Sequence, residues 1–329
     1  MHTFLDPALL FFILGVVAAL LNSNLEIPPA ISRFLSLYLL MALGLKGGFA
    51  LSKSGVTTEV AASLSVAIFL AVLIPLIGYF FLKKVLSGFD AAAIAATYGS
   101  VSAVTFVTAV QYLDNNDISY GGHMAAAMAL MESPAIILAV LFANKLRHQI
   151  PVDNAFHSSK PINQPQITLP KLLHESFTDG AQLLLLGSMI IGLISGETGK
   201  IAMQPFSGDL FKGMLSFFLL DMGLLTARSM YQLKGISIKL IVYAVFAPVF
   251  HASLALILSV FIEASMGNTI LLMVLAASAS YIAVPAVLRT AIPEAKPSLY
   301  FGMSLGITFP LNLIVGIPAY AYIAHHFIQ

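Results

Sequence analysis

TYGSVSAVTFVT at residues 97–108 and ASASYIAVPAVL at residues 277–288 decide how this chain is read. Each lies inside an apolar stretch long enough to cross a bilayer. Each interrupts that stretch with Gly, Ser, Thr or Pro where Leu or Val would be the safer choice. In hydrocarbon every backbone N–H and C=O needs a partner, so irregular backbone survives only where it is buried in protein or lines a cavity. Taken alone, either segment reads as close-packing residues between helices. Two such interruptions at corresponding points of two half-chains point instead to a transporter's binding site.

The composition agrees. Of 329 residues 59% are hydrophobic and 9% charged, with a mean hydropathy of +0.92. Soluble domains carry roughly 25% charged residues, so this is a polytopic membrane protein. A net charge of +1 argues against a nucleic-acid partner. The chain has no Cys, which excludes disulfides, thiolate metal sites and a Cys nucleophile, and no Trp, which leaves Tyr and Phe to form any aromatic belt. The start, MHTFLDPALLFF, lacks a basic n-region and reads as the first span rather than a signal peptide.

A span needs about 20 apolar residues. Ten candidates are expected, near 7–22, 30–50, 58–82, 89–112, 121–146, 178–196, 208–230, 236–262, 268–291 and 298–326. The fold class expected is therefore all-α, with a first five-helix repeat over 1–147, a polar cytoplasmic linker over 148–175 and a second, inverted repeat over 176–329. Loops after the odd-numbered spans hold 12 of the 16 Lys and Arg, among them Arg33, Lys83, Lys84, Arg147, Arg228 and Arg289. The positive-inside rule places those loops in the cytoplasm and both termini outside. Gly44 falls over Gly223 and Gly88 over Gly267 at an offset of 179, and Pro134 over Pro310 at 176. Their order and spacing argue for the inverted repeat.

If Gly99–Ser102 and Ser278–Ala283 unwind, half-helix N-termini face mid-membrane, where free amides and the positive dipole end suit an anion. Gly99, Ser100, Ser102, Thr105, Ser278, Ser280 and Tyr281 are the candidate substrate residues. Glu132 and Asp221 are carboxylates in mid-span, a placement that costs about 2.5–3.5 kcal/mol on insertion scales and marks ion paths. Glu132 is the expected coupling residue. Thr308 and Asn312, in the matching part of the last span, are oxygen ligands suited to a hard cation. A protonated Glu hydrogen-bonded between helices is the plainer alternative. His251 receives no role, and no HExxH, P-loop or nucleophile elbow marks an enzyme.

Several segments resemble the sodium-dependent bicarbonate permeases of the SbtA family: LNSNLEIP (21–28), GLKGGFA (44–50), GSVSAVT (99–105), VYAVFAP with His251 (242–251) and VPAVLRTAIPEAKPSLYFG (284–302). The resemblance implies ten helices in two inverted repeats with discontinuous helices 4 and 9. It also implies core and gate domains, a homotrimer in the cell's inner (plasma) membrane, and bicarbonate between the two breaks with sodium close by. No other cofactor is implied. Gly99, Ser102 and Thr105 keep the helix 4 motif; Ser278, Ser280, Pro285 and Arg289 keep part of helix 9. Tyr281 stands where the family has an acidic residue, and Val104, Ala283 and Ala286 replace two serines and a proline. The linker is shorter than in cyanobacterial members, which argues against the family's PII-like regulatory partner. Sodium-coupled bicarbonate transport is the first expectation. The alternatives are a proton-coupled carrier of another small monocarboxylate or solute, and a non-transporting membrane sensor on the same scaffold.

Overall fold

A computed structural model describes residues 6–148 and 179–328, apart from 56, 232 and 234. All regular structure among them is helical. The linker expected at 148–175 lies, except for its first residue, outside the described residues. The helices are α1 (Pro7–Leu20), α2 (Pro29–Ser54), α3 (Thr58–Leu82), α4 (Gly88–Gly99), α5 (Ala103–Asn115) and α6 (Met124–His148). After the linker come α7 (Gly180–Met203), α8 (Phe211–Tyr231), α9 (Ile238–Phe261), α10 (Met266–Ala277), α11 (Ala283–Ala291) and α12 (Pro297–Phe327). Seven stretches are long and apolar enough to cross a membrane, one of them the 52-residue run of α7 and α8. Pro7–Leu20 and Met266–Ala277 are shorter apolar helices.

Local chemistry sets the helix starts. The Asp6 carboxylate accepts from the Ala8 N–H with Pro7 in the first turn, the Ser87 hydroxyl accepts from the Asp90 N–H, and the Asp179 carboxylate accepts from Ala181 and Gln182. Each satisfies amides that the helix itself leaves without acceptors. Sidedness then sorts the long helices. In α9, Leu240, Ala244, Ala247, His251 and Ala255 are buried, while Ile238, Val242, Phe246, Val249 and Ile257 are exposed apolar residues. An apolar exposed face of this extent belongs in lipid. By contrast α4 from Asp90 to Gly99 and α10 from Gly267 to Ala277 are buried throughout and form the centre of the protein.

Two helix pairs pack most extensively, α1 on α8 and α2 on α7, while α3, α4 and α6 pack on one another and α9 packs on α10. Glycines set both principal crossings. A Cβ on Gly15 would collide with the Leu220 carbonyl and one on Gly223 with the Phe12 carbonyl; one on Gly48 would collide with the Met189 carbonyl. Gly44, which the sequence sets over Gly223, packs one turn away against Leu185 and Ser188, so the crossing that matches Gly15–Gly223 is Gly48–Gly192.

Among the described residues, side-chain hydrogen bonds at the helix ends and loops join only segments expected on the same side. On the basic face Arg147 binds Glu294 at 2.8 Å and the Lys296 N–H donates to Asp90 at 2.8 Å. On the opposite face Ser265 and Asn268 both donate to Glu59 at 2.8 Å, and the Gly121 N–H donates to Asn268 at 2.7 Å.

Two outcomes follow from this packing. Gly48→Leu lowers the thermal unfolding temperature in detergent, because overpacking costs about 1–3 kcal/mol, while Gly187→Ala, whose Cβ meets nothing within 4 Å, does not lower it, Ala being the better helix former. The Arg147 guanidinium holds the Glu294 carboxyl below the ordinary range. A depressed folded-state pKa adds stability above the unfolded value and loses it as pH falls through the folded one. The unfolding-temperature difference between the parent and Glu294→Gln is therefore positive at pH 7 and shrinks below about pH 4.

Candidate functional site

The two interrupted segments meet. α4 ends at Gly99, where a Cβ would lie 2.5 Å from the ring of Pro75 on α3, so only glycine admits this approach. Ser100 to Ser102 leave the helix, and α5 begins at Ala103. On the other side α10 ends at Ala277 and α11 begins at Ala283. The freed backbone of each break bonds to the other: the Ser280 N–H donates to the Thr97 carbonyl at 2.8 Å, and the Ser102 N–H donates to the Ser278 hydroxyl oxygen at 3.0 Å. The Ser278 hydroxyl in turn donates to the Leu275 carbonyl at 2.9 Å.

Each second half-helix carries its own start signal. The Ser102 hydroxyl oxygen accepts from the Thr105 N–H at 3.2 Å and from the Thr105 hydroxyl at 2.9 Å. The Ser280 hydroxyl oxygen accepts from the Val284 N–H at 3.3 Å. The amides of Ala103 and Val104, in the first turn of α5, have no intrahelical acceptor, and both residues line a cavity of about 70 Å³.

That cavity is lined by Ser102 from one break, by Ser280 to Ala283 from the other, and by Ser36, Leu40, Met128, Glu132, Gln182 and Leu185 from α2, α6 and α7. Among the described residues Glu132 is its only charged lining residue. The Gln182 amide donates to the Glu132 carboxylate at 2.7 Å, a bond between α6 and α7. Tyr281 is buried with its ring edge-on to Phe309 at 5.1 Å, and its hydroxyl has no well-aligned hydrogen-bond partner.

Tyr281, Ile282 and Ser36 also line a second, much larger cavity of about 800 Å³. This vestibule lies on the basic face, with Arg33, Arg228 and Arg289 in its wall alongside Glu26 and Asp221. Tyr281 thus stands between a small polar cavity and a wide, arginine-bearing approach.

The sequence-predicted residues divide into three sets. Ser102, Ser280, Tyr281 and Glu132 line the small cavity together. Gly99, Thr105 and Ser278 lie behind it and hold the crossing, and Ser100 is buried beside it with an unpartnered hydroxyl. Thr308 and Asn312 do not join Glu132. Thr308 bonds Tyr98 at 2.6 Å and the Ala244 carbonyl at 2.8 Å; the Asn312 amide donates to the Ala277 carbonyl at 2.8 Å and so caps the end of α10. Both are buried supports of the break. Asp221 lies in the vestibule wall, and His251, buried against Ala276, supports the same helix end.

Gln182 and Ser36 are the residues sequence reasoning missed. The available signal was a lone Gln in the first turn of an otherwise apolar span.

A search of curated proteins finds no match to the chain. The family model described as the Na+-dependent bicarbonate transporter superfamily matches residues 7–325, through both breaks and both cavities. The chain belongs to the Na+-dependent bicarbonate transporter superfamily.

Proposed function

We propose that this chain is a secondary active transporter that carries a small anion, bicarbonate first, by alternating access with sodium as the coupling ion. The observation that carries the reading is the crossed pair of helix breaks beside a cavity with one carboxylate in its lining. Its size suits the cargo. One water needs roughly 10–15 Å³ by this measure, so about 70 Å³ admits an anion of a few heavy atoms and excludes a sugar or nucleotide.

The charge of Glu132 makes the transport coupled. Two like charges about 6 Å apart at an effective dielectric of about 20 repel by about 3 kcal/mol, on the order of a hundredfold in affinity. An anion therefore enters beside ionised Glu132 only when a cation lies between them. Ser102, the first-turn amides of α5 and Ser280 bind the anion; the Glu132 carboxylate and the Ser36 and Gln182 side-chain oxygens face the cation. Proton coupling is the second reading, supported by Tyr281 in place of the family's acidic residue: a proton on Glu132 removes the same repulsion.

Counting α4 with α5, and α10 with α11, as single discontinuous spans gives ten. Exchanging the half-chains turns the α1–α8 pair into the α7–α2 pair, which supports the inverted repeat. On this reading α1, α2, α7 and α8 form the gate, α3 to α6 and α9 to α12 form the core, and the basic face is cytoplasmic. The assembly is a homotrimer in the inner (plasma) membrane.

Proteoliposomes loaded at fixed pH test the proposal with radiolabelled bicarbonate. Sodium-driven accumulation is the expected result, and Glu132→Gln abolishes its sodium dependence. No accumulation by folded protein under either a sodium or a proton gradient overturns transport of this anion. Within the same assay Ser102→Ala weakens the apparent affinity about tenfold or more, the loss expected for a hydrogen bond to a charge. Ser102→Thr, which keeps the hydroxyl and the cap, stays near the parent.

A further inference from the structure

The two faces are in different states. On the face opposite the vestibule, gate and core are tied: Lys46 of α2 pairs with Asp114 of α5 at 3.2 Å. Nearby Asn115 of α5 donates to Asp6 at the start of α1 at 2.8 Å, and Lys212 of α8 donates to Asn115 at 3.4 Å. On the basic face the vestibule opens between gate and core, which touch beside it where Ser229 and Met230 of α8 meet Gly302 and Gly306 of α12. There Asp221 of α8 is 5% exposed with one carboxylate oxygen lacking any partner. Arg289, in the last turn of α11, makes no salt bridge among the described residues and rests over the Phe301 ring at 5.3 Å.

These residues occupy matching places with their charges exchanged. Lys46 lies two residues before the crossing glycine Gly48, and Asp221 lies two before its counterpart Gly223. Asp114 is in the last turn of the half-helix that follows one break, and Arg289 in the last turn of the half-helix that follows the other.

We infer that Asp221 and Arg289 form the ion pair that closes the basic face when the Lys46–Asp114 pair opens, so that the two pairs are reciprocal locks of the transport cycle. The inference rests on the alternating-access reading above. Arg33 and Arg228 also line the vestibule, but they sit on gate helices and move with Asp221. Among the described residues Arg289 is the only charged one that the core contributes to the vestibule wall. Glu26, the other gate carboxylate there, lies in the exposed turn before α2 and has no counterpart near Lys46. The Asp221 carboxylate has the Ser32 hydroxyl and the Arg228 charge near it but leaves one oxygen without a hydrogen bond. A buried carboxylate short of partners is costly, and closure adds the Arg289 guanidinium.

The chain has no cysteine, so Ser36→Cys, in the wall shared by cavity and vestibule, is a sole thiol. Its labelling by a membrane-impermeant maleimide presented at the basic face reads whether that face is open, without reference to any substrate. Adding Lys46→Gln is expected to slow labelling by up to about fivefold, the ceiling for one exposed ion pair. Adding Arg289→Gln as well restores the rate, and Asp221→Arg with Arg289→Asp slows it again. If Arg289→Gln leaves the slowed rate unchanged, or if Glu26→Gln restores it while Asp221→Asn does not, the assignment is overturned. If Lys46→Gln has no effect on labelling while the chain that keeps Ser36 shows sodium-driven uptake, the reciprocal-lock inference falls and the transport reading stands. If the chain that keeps Ser36 shows no uptake either, the transport reading falls with it.

Discussion

Backbone that leaves a helix inside hydrocarbon needs partners, and here each break finds them on the other. Ser280 N–H to the Thr97 carbonyl and Ser102 N–H to the Ser278 hydroxyl are the bonds on which the rest depends. An unpaired amide in lipid costs several kcal/mol, so neither break is stable alone at this depth. The need for mutual satisfaction explains why α4 and α10 are buried along nearly their whole length. It also explains why the supports around them are polar groups in an apolar interior. Asn312 binds the last carbonyl of α10, Thr308 fixes Tyr98 next to the end of α4, and Pro75 sits where only Gly99 admits it.

From that crossing the site follows. Two half-helices begin at the same place, and the residues that begin them are serines, alanines and a tyrosine rather than leucines. The small side chains among them leave a cavity sized for a few heavy atoms, and the first-turn amides of Ala103 and Val104 lack intrahelical acceptors. One carboxylate enters the same space from α6 and is held from α7 by Gln182. A site with donors for an anion and a charge that repels it binds cargo only in company, which is the electrostatic basis of coupling in the proposed function.

Much of this was legible in the sequence because the relevant signals are strong and local. Most span boundaries fall within a few residues of the helix ends, since hydrocarbon thickness fixes length; the sixth, expected to end at 196, continues as α7 to Met203 past a non-helical Gly196. The breaks lie where Gly, Ser and Pro interrupt the apolar pattern. What was not legible is which polar residues share a cavity. Thr308 and Asn312 have the right chemistry for a cation but face the helix ends they support. Gln182 looked like an ordinary polar residue near a helix start, and only the packing of α7 against α6 makes it the partner of Glu132. Which glycines make the helix crossings was not legible for the same reason. Gly44 and Gly48 both contact α7, and only the three-dimensional crossing distinguishes the one that matches Gly223.

The central claim is that the crossed breaks, and not the vestibule, hold the anion. A cryo-EM map of the protein in nanodiscs with sodium bicarbonate, compared with one in a salt it does not transport, tests this most directly. The account predicts added density against Ser102, Ser280 and the amides of Ala103 and Val104, within reach of Glu132. Density confined to the arginines of the vestibule, with the small cavity unchanged, would contradict it.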